Sequence, residues 1–312
     1  MTARVEDQVE IDVAATAAAA RKQGLLSRVA KNQSVAIGAV IVALMMLIGL
    51  AAPLLGTVDP KAINPVVRNV KPGIERNVMQ ASGEMAPRKF WMGTDSLGRD
   101  IYSRVLYGAR VSLIVGIAVA VISIAIGLTI GLVSGYIRWL DGIVMRFMDG
   151  MMAIPAILLA IGLVSLWGAG LVTVIFAIVV PEIPRVVRLV RSVVLSIREE
   201  PYVEAAISVG TSTPLILIRH ILPNTLAPLI VQGTFICASA MLVEAILSFL
   251  GIGIPPDVPT WGNIMAEGRS YFRIHPHMIM FPGLFLAVTV LAVNILGDGL
   301  RDSLDPRLGK RI

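Results

Sequence analysis

Glu204-Ala205-Ala206, three further residues, Gly210, and then His220 with Leu222-Pro223 lie in a polar stretch between two long apolar runs. Arg198, Glu199, Glu200, Glu204 and Arg219 share that stretch, and charges at this density are costly in hydrocarbon. The stretch therefore reads as a loop outside a bilayer. Pro201 suits the first turn of a helix, where its missing N–H costs nothing. Gly210 suits the left-handed residue that ends such a helix. Ser212 or Thr213 can cap a second helix with Pro214 in its first turn, and Pro223 marks where that helix stops. Helix, glycine turn and helix make a shaped knob, so the chemistry on offer is recognition of another protein. Catalysis has little to work with. The chain has no Gly-x4-Gly-Lys-Ser/Thr phosphate loop, no His-Glu-x-x-His zinc helix and no Gly-x-Ser-x-Gly elbow. A membrane-embedded enzyme and an autonomous secondary transporter or channel remain the competing classes, but neither needs such a knob.

Other polar residues sit inside apolar runs. Glu244 must face a water-filled path, pair with a polar group or be protonated, because an unpartnered charge there costs about 2.5–3.5 kcal/mol on insertion scales. Asn294, in a later run, is a candidate hydrogen-bond partner, and the two together form a possible translocation path or gate. Asp149 and Glu182 fall nearer an edge, where Arg146 and Arg185 could balance them. His275-Pro276-His277 does not complete a metal coordination sphere, and no cysteine lies nearby to help, so no metal is expected. The single cysteine, Cys237, rules out an intrachain disulfide and reads as a small buried hydrophobe.

The elements that position these residues are apolar helices. Of 312 residues 56% are hydrophobic and 15% charged, outside the range of a soluble domain of this length. The formal charge of +6 reflects Lys and Arg beside the apolar runs, a lipid-flanking pattern with no nucleic-acid partner implied. Runs of about 20 residues begin at Ser34 and Val111, a shorter one covers Met151 to Trp167, and another starts near Leu171 but is interrupted by Pro181 and Pro184. Two more cover Leu226 to Leu250 and Met278 to Leu296. The expectation is an all-α, polytopic membrane protein with about six transmembrane helices and both termini on one side. Arg21, Lys22, Arg28 and Lys31, then Arg138 and Arg146, then Arg185 to Arg219, and finally Arg301, Arg307, Lys310 and Arg311 all fall on that side, which should be cytoplasmic. The long first external loop also carries Lys and Arg, yet a loop of that length can still translocate.

The chain then divides into a cytoplasmic tail (1–33), a first transmembrane helix (34–55), an external loop with an amphipathic elbow (56–107), a core (108–300) holding the polar loop 196–223, and a cytoplasmic C-terminal tail (301–312). The first apolar run is long for a cleavable signal peptide and reads as a retained anchor. In the elbow, Asp95 and Arg99 are four apart and could pair on a helix starting near Thr94, with Leu97, Ile101 and Val105 on one face. Gly127, Gly131 and Gly135, with Ser123 one step back, form a ladder for close helix approach, within this chain or against a partner. Trp261, in the proline-rich stretch from Ile252 to Phe272, can anchor at a membrane interface.

Several motifs extend the pattern: Gly93-Thr94-Asp95, Gly98-Arg99-Asp100, Tyr107-Gly108-Ala109-Arg110, His220-Ile221-Leu222-Pro223-Asn224, Leu247-Ser248-Phe249-Leu250-Gly251, Trp261-Gly262-Asn263 and Gly297-Asp298-Gly299-Leu300-Arg301-Asp302. In this order, over roughly residues 30 to 307, they resemble the C-type permease subunits of the dipeptide/oligopeptide/nickel branch of bacterial ABC importers. His220 stands where many importers carry an aliphatic residue, and it is usual in the peptide branch. The resemblance implies a type I ABC importer permease core. It also implies that Glu204, Ala205, Ala206, Gly210, His220, Leu222 and Pro223 belong to the loop that docks on an ATPase and couples hydrolysis to transport. By the same resemblance, this chain would bind no cofactor, while partner ATP-binding cassette subunits hold ATP and Mg. A second homologous permease and an external substrate-binding protein would complete the importer in the bacterial plasma (inner) membrane. Dipeptides or oligopeptides are the implied cargo, with nickel or a small solute such as a peptide conjugate as the alternative.

Overall fold

The computed structural model describes residues 29, 31–79 and 85–304. The tail expected over residues 1–33 lies almost wholly outside the described residues, as do Arg307, Lys310 and Arg311. Helices dominate. α1 (Gln33–Ala51) is followed by a long connection containing an antiparallel hairpin, β1 (Ile74–Met79) with β2 (Met85–Phe90), in which Ile74 faces Phe90. Then come α2 (Ile101–Tyr136), α3 (Arg138–Met152), α4 (Ala156–Trp167) and α5 (Leu171–Arg198). The polar loop holds α6 (Pro201–Ser208) and the short α7 (Thr213–Ile216), and a π-helical turn (Leu217–Ile221) leads into α8 (Leu222–Phe249). α9 (Trp261–Gly268) and α10 (His277–Leu304) complete the fold. The hairpin is the one departure from a purely helical chain among the described residues, in a segment read from sequence as loop.

Residues 33–54, 101–136, 213–249 and 277–304 form helices long and apolar enough to cross a membrane, and α3 with α4 is apolar enough only as a pair bent by 86°, the shape of a broken span or a re-entrant loop. The bend falls at Pro155, so α4 alone, twelve residues or about 18 Å, does not form the straight third span expected from Met151 to Trp167. α5 is also 28 residues long but already carries Glu182, Arg185 and Arg188 by its eighteenth residue. With α5 the total approaches the expected six. Pro181 and Pro184 do not interrupt it: Ile178, Val179, Val186 and Val187 around them are buried against neighbours, and that packing holds the helix together despite two missing N–H donors.

Glycine sets the helix spacing. Gly127, Gly131 and Gly135 of α2 lie against Val186, Val190 and Val194 of α5, so the ladder is an intramolecular seam between parallel helices. An added Cβ would come within 2.5 Å of the Val186 Cβ at the first step and 2.7 Å of the Val190 Cβ at the second. Gly38 of α1 meets the α10 backbone at Ala292 and Leu296 in the same way. Asn32 caps α1 by accepting from the Ser34 and Val35 N–H groups, and its own amide donates to Gly299 O and Ser303 Oγ of α10. The other face of α1, including Val40, Leu47 and Leu50, stays exposed, as suits contact with lipid. Trp261 is fully buried rather than interfacial: its indole N–H donates to Val105 O at 3.1 Å, and its ring packs beside Phe285 and over Gly108. Burying indole is favourable once its N–H has a partner, and α2 supplies one.

Candidate functional site

The loop between α5 and α8 is built from a few local signals. Pro201 occupies the first turn of α6, and Glu204 follows in that turn, where a negative charge complements the helix N-terminus. α6 ends at Gly210, with φ +82°, in a Schellman motif: Gly210 N–H donates to Ile207 O, and Thr211 N–H reaches back to Ala206 O. Ser212 then precedes α7 with Pro214 in its first turn. Pro223 does not end this second helix. The chain continues helically through a π-helical turn at Leu217–Ile221 into α8, and Pro223 falls in the first turn of α8, where its missing N–H costs little.

The loop is braced from beneath. Val203, Ile216 and Ile221 are buried in the core that also holds Val190 and Val194 of α5. The His220 ring lies 6.2 Å from that of Tyr202, and Asn224 Nδ2 donates to both Tyr202 Oη and His220 O. Tyr202 was not singled out from sequence; an aromatic residue one position after a helix-starting proline was the only signal. Leu222 is half-buried and its carbonyl accepts from Thr225 Oγ1. Above this brace Glu204, Ala205, Ile207, Val209, Leu215 and Ile218 are exposed, Val209 by 87%. Glu204 makes no side-chain hydrogen bond or ion pair among the described residues. A rigid base carrying an apolar crest and one acid can insert into a groove on another protein.

The intramembrane residues divide differently from expectation. Glu244 is fully buried; its Oε1 accepts from Ser248 Oγ at 2.9 Å, and no hydrogen bond joins it to Asn294, which is half-buried on α10. Ser248 Oγ in turn accepts from Ile254 N–H, and Asn263 Nδ2 donates to Ile254, Pro255 and Val258 carbonyls. Glu244 is thus tied to the turn after α8 through a partner one helical turn away. Asp149 pairs with Arg188 at 2.5 Å rather than with Arg146, whereas Glu182 does pair with Arg185 at 3.1 Å. His275 and His277 meet edge to face, with ring centroids 5.7 Å apart.

At the hairpin end, Asp95 and Arg99 are paired at 2.7 Å, but on a turn rather than a helix. Gly98 has φ +78°, Asp95 Oδ1 accepts from the Leu97 and Arg99 N–H groups, and the helix begins only at Ile101, capped by Asp100. Arg99 and the fully buried Arg104 both reach Glu267 of α9, and Arg104 also faces Asp95 at 3.6 Å. Burial pushes the Glu267 carboxyl above its ordinary range, against the pull of the two guanidiniums.

A mostly helical membrane core with a projecting helix–turn–helix loop defines the permease architecture of type I ABC importers. The chain belongs to the family described as "Binding-protein-dependent transport system inner membrane component", whose model matches residues 123–310, and is a multi-pass permease subunit of such a system. It is 51% identical to "Probable peptide ABC transporter permease protein y4tQ" of Sinorhizobium fredii over 91% of this chain and 93% of that protein. It is 40% identical to the dipeptide transport system permease protein DppC of Alkalihalophilus pseudofirmus, covering 89% and 87% of the two chains. The glutathione transport system permease protein GsiD of Pectobacterium atrosepticum shares 45% identity over 70% of this chain and 73% of its own. A chain of the MetNI methionine ABC transporter, solved in inward facing conformations, superposes with TM-score 0.53 at 19% identity, covering 64% of this chain and 96% of that one. That likeness concerns the fold. Permeases of this family work with ATP-binding and substrate-binding partners.

Proposed function

We propose that this chain carries peptides through an ATP-driven importer and that the α6–α7 loop is its coupling element. The observation that carries the proposal is the braced loop with an exposed apolar crest and Glu204 unpaired among the described residues. Peptide, dipeptide and glutathione permeases among the relatives support the cargo class. In this reading the chain is non-catalytic and holds no cofactor. Two ATP-binding cassette subunits bind ATP and Mg, a second homologous permease completes the path, and a substrate-binding protein delivers cargo outside. Closure of the ATPases moves the docked loop, and α5 and α8, which flank it, transmit the motion as a shift between two packed states. The loop and both termini face the cytoplasm.

The test uses Val209→Glu, which places a charge on the exposed crest without touching the core. The intact complex should insert normally but lose most of its ATP-binding subunit during purification, and ATP-driven uptake of labelled dipeptide should fall with it. Full retention and full uptake would remove the loop from coupling. In a Cys237→Ser background, an impermeant thiol reagent on whole cells should modify Ser270→Cys and spare Ser208→Cys; the reverse pattern would invert the topology. Uptake of dipeptides, longer peptides and nickel by the same complex decides the cargo.

A further inference from the structure

The parallel seam between α2 and α5 assigns a depth to every charge on α5. Each glycine of the α2 ladder meets the valine at the same step of α5, from Gly127 with Val186 to Gly135 with Val194. Ser123, one step before Gly127, is therefore level with Glu182, one step before Val186. Ser123 sits near the middle of the apolar run from Val111 to Val133, so Glu182 and Arg185 lie near mid-membrane, deeper than the edge position expected from sequence. Arg188 follows one turn toward the α6 loop.

These side chains are not sealed inside the chain. Arg185 is 50% exposed, and Arg188 and Asp149 are 45% and 58% exposed. Lipid cannot be their surroundings, because charges at this depth face a water-filled cavity or another buried partner. Their bonding is also incomplete. Arg185 uses only Nη1, toward the two Glu182 oxygens, and Arg188 uses only Nη2, toward Asp149 Oδ1. A guanidinium has five N–H donors, and among the described residues most of the donors on both arginines, and Asp149 Oδ2, have no hydrogen-bond partner. Arg185 and Arg188 are three apart on one helix, close enough for both to reach a single carboxylate.

Resting on the peptide reading above, we infer that this face is a transient substrate site within the translocation path. The peptide C-terminal carboxylate sits between Arg185 and Arg188, and its ammonium group meets Asp149. Positive and negative groups on one exposed face match a zwitterion in that one orientation, with no requirement on the peptide side chains. Glu182, 5% exposed, holds Arg185 in place.

The test uses the whole importer, with Cys237→Ser in this chain and reactive cysteines removed from its partners. Ser192→Cys, one turn beyond Arg188 and exposed like it, should react with a charged, membrane-impermeant methanethiosulfonate in at least one nucleotide state. Millimolar dialanine should slow that reaction at least fivefold, whereas N-acetyl-dialanine amide, which lacks both charges, should not. Separately, Arg188→Gln should lower dialanine uptake at least tenfold while binding-protein-stimulated ATP hydrolysis stays within twofold. No labelling in any nucleotide state would mean that the partner permease or lipid covers the face, and the assignment fails. Equal protection by the blocked peptide, no protection at all, or parallel loss of hydrolysis and uptake would also overturn it. Uptake by the unmodified complex tests the peptide reading itself: labelling at Ser192→Cys in a complex inert toward dialanine and longer peptides keeps the aqueous path and removes peptide from it.

Discussion

Gly98 and Gly210 adopt nearly the same backbone, with φ +78° and +82°, in opposite surroundings. A Cβ on Gly98 would collide with the Asn64 carbonyl, whereas a Cβ on Gly210 would meet nothing within 4 Å. The Gly98 turn is wedged under the long connection beside buried Asp95, Arg99 and Arg104, which hold α9 through Glu267. The Gly210 turn projects from a braced base. The same local conformation serves a closed clamp at one end of the molecule and an open crest at the other. Packing decides which: the charges are paired internally at the clamp, and Glu204 on the crest has no ion pair among the described residues.

Mutations at the two ends should separate these roles, and the clamp should show the larger effects. Arg104→Met leaves Glu267 and Asp95 with one cation fewer in a buried site, so stability should fall by about 3–5 kcal/mol. Thermal unfolding of the detergent-solubilised complex, followed by size exclusion, measures the loss; an unchanged midpoint would show that the clamp carries little stability. Gly98→Ala comes next, combining left-handed strain with overpacking worth roughly 1–3 kcal/mol, and the same assay should show reduced yield and stability.

At the crest the order of readouts reverses. Gly210→Ala costs about 1 kcal/mol of backbone strain with no collision, so the complex should assemble at near-normal yield while uptake per ATP hydrolysed declines. A destabilised but fully coupled complex would break the comparison. The smallest effect belongs to Tyr202→Phe, which removes the 3.3 Å bond from Asn224 but keeps the ring beside His220. A loss of about 0.5 kcal/mol, the low end for a hydrogen bond, is expected locally because the bond is exposed, visible as faster hydrogen exchange in α6 with nearly normal transport.

The contrast also explains what was readable in advance. Gly210 as a left-handed stop and Pro201 as a helix start were legible because backbone preference is set within a few residues. The Asp95–Arg99 pair was legible from spacing, although the helix meant to carry it was not, since Gly98 breaks the helix and Asp100 restarts it. Pro223 misled for a related reason: a proline usually ends a helix, but in the first turn of α8 its missing N–H costs little, and buried residues such as Ile216 and Ile221 reward continuity.

Hydropathy and punctuation by themselves determined a polytopic helical protein with a polar loop between its later spans, because crossing a bilayer demands long apolar helices whatever their neighbours. Tertiary structure alone decided that Trp261 is buried, that Asn294 makes no hydrogen bond to Glu244, and that Asp149 meets Arg188 instead of Arg146. These pairings depend on how helices distant in sequence are registered. That register is set by side-chain volume at a few contacts, chiefly the glycine steps of α2 against the valines of α5.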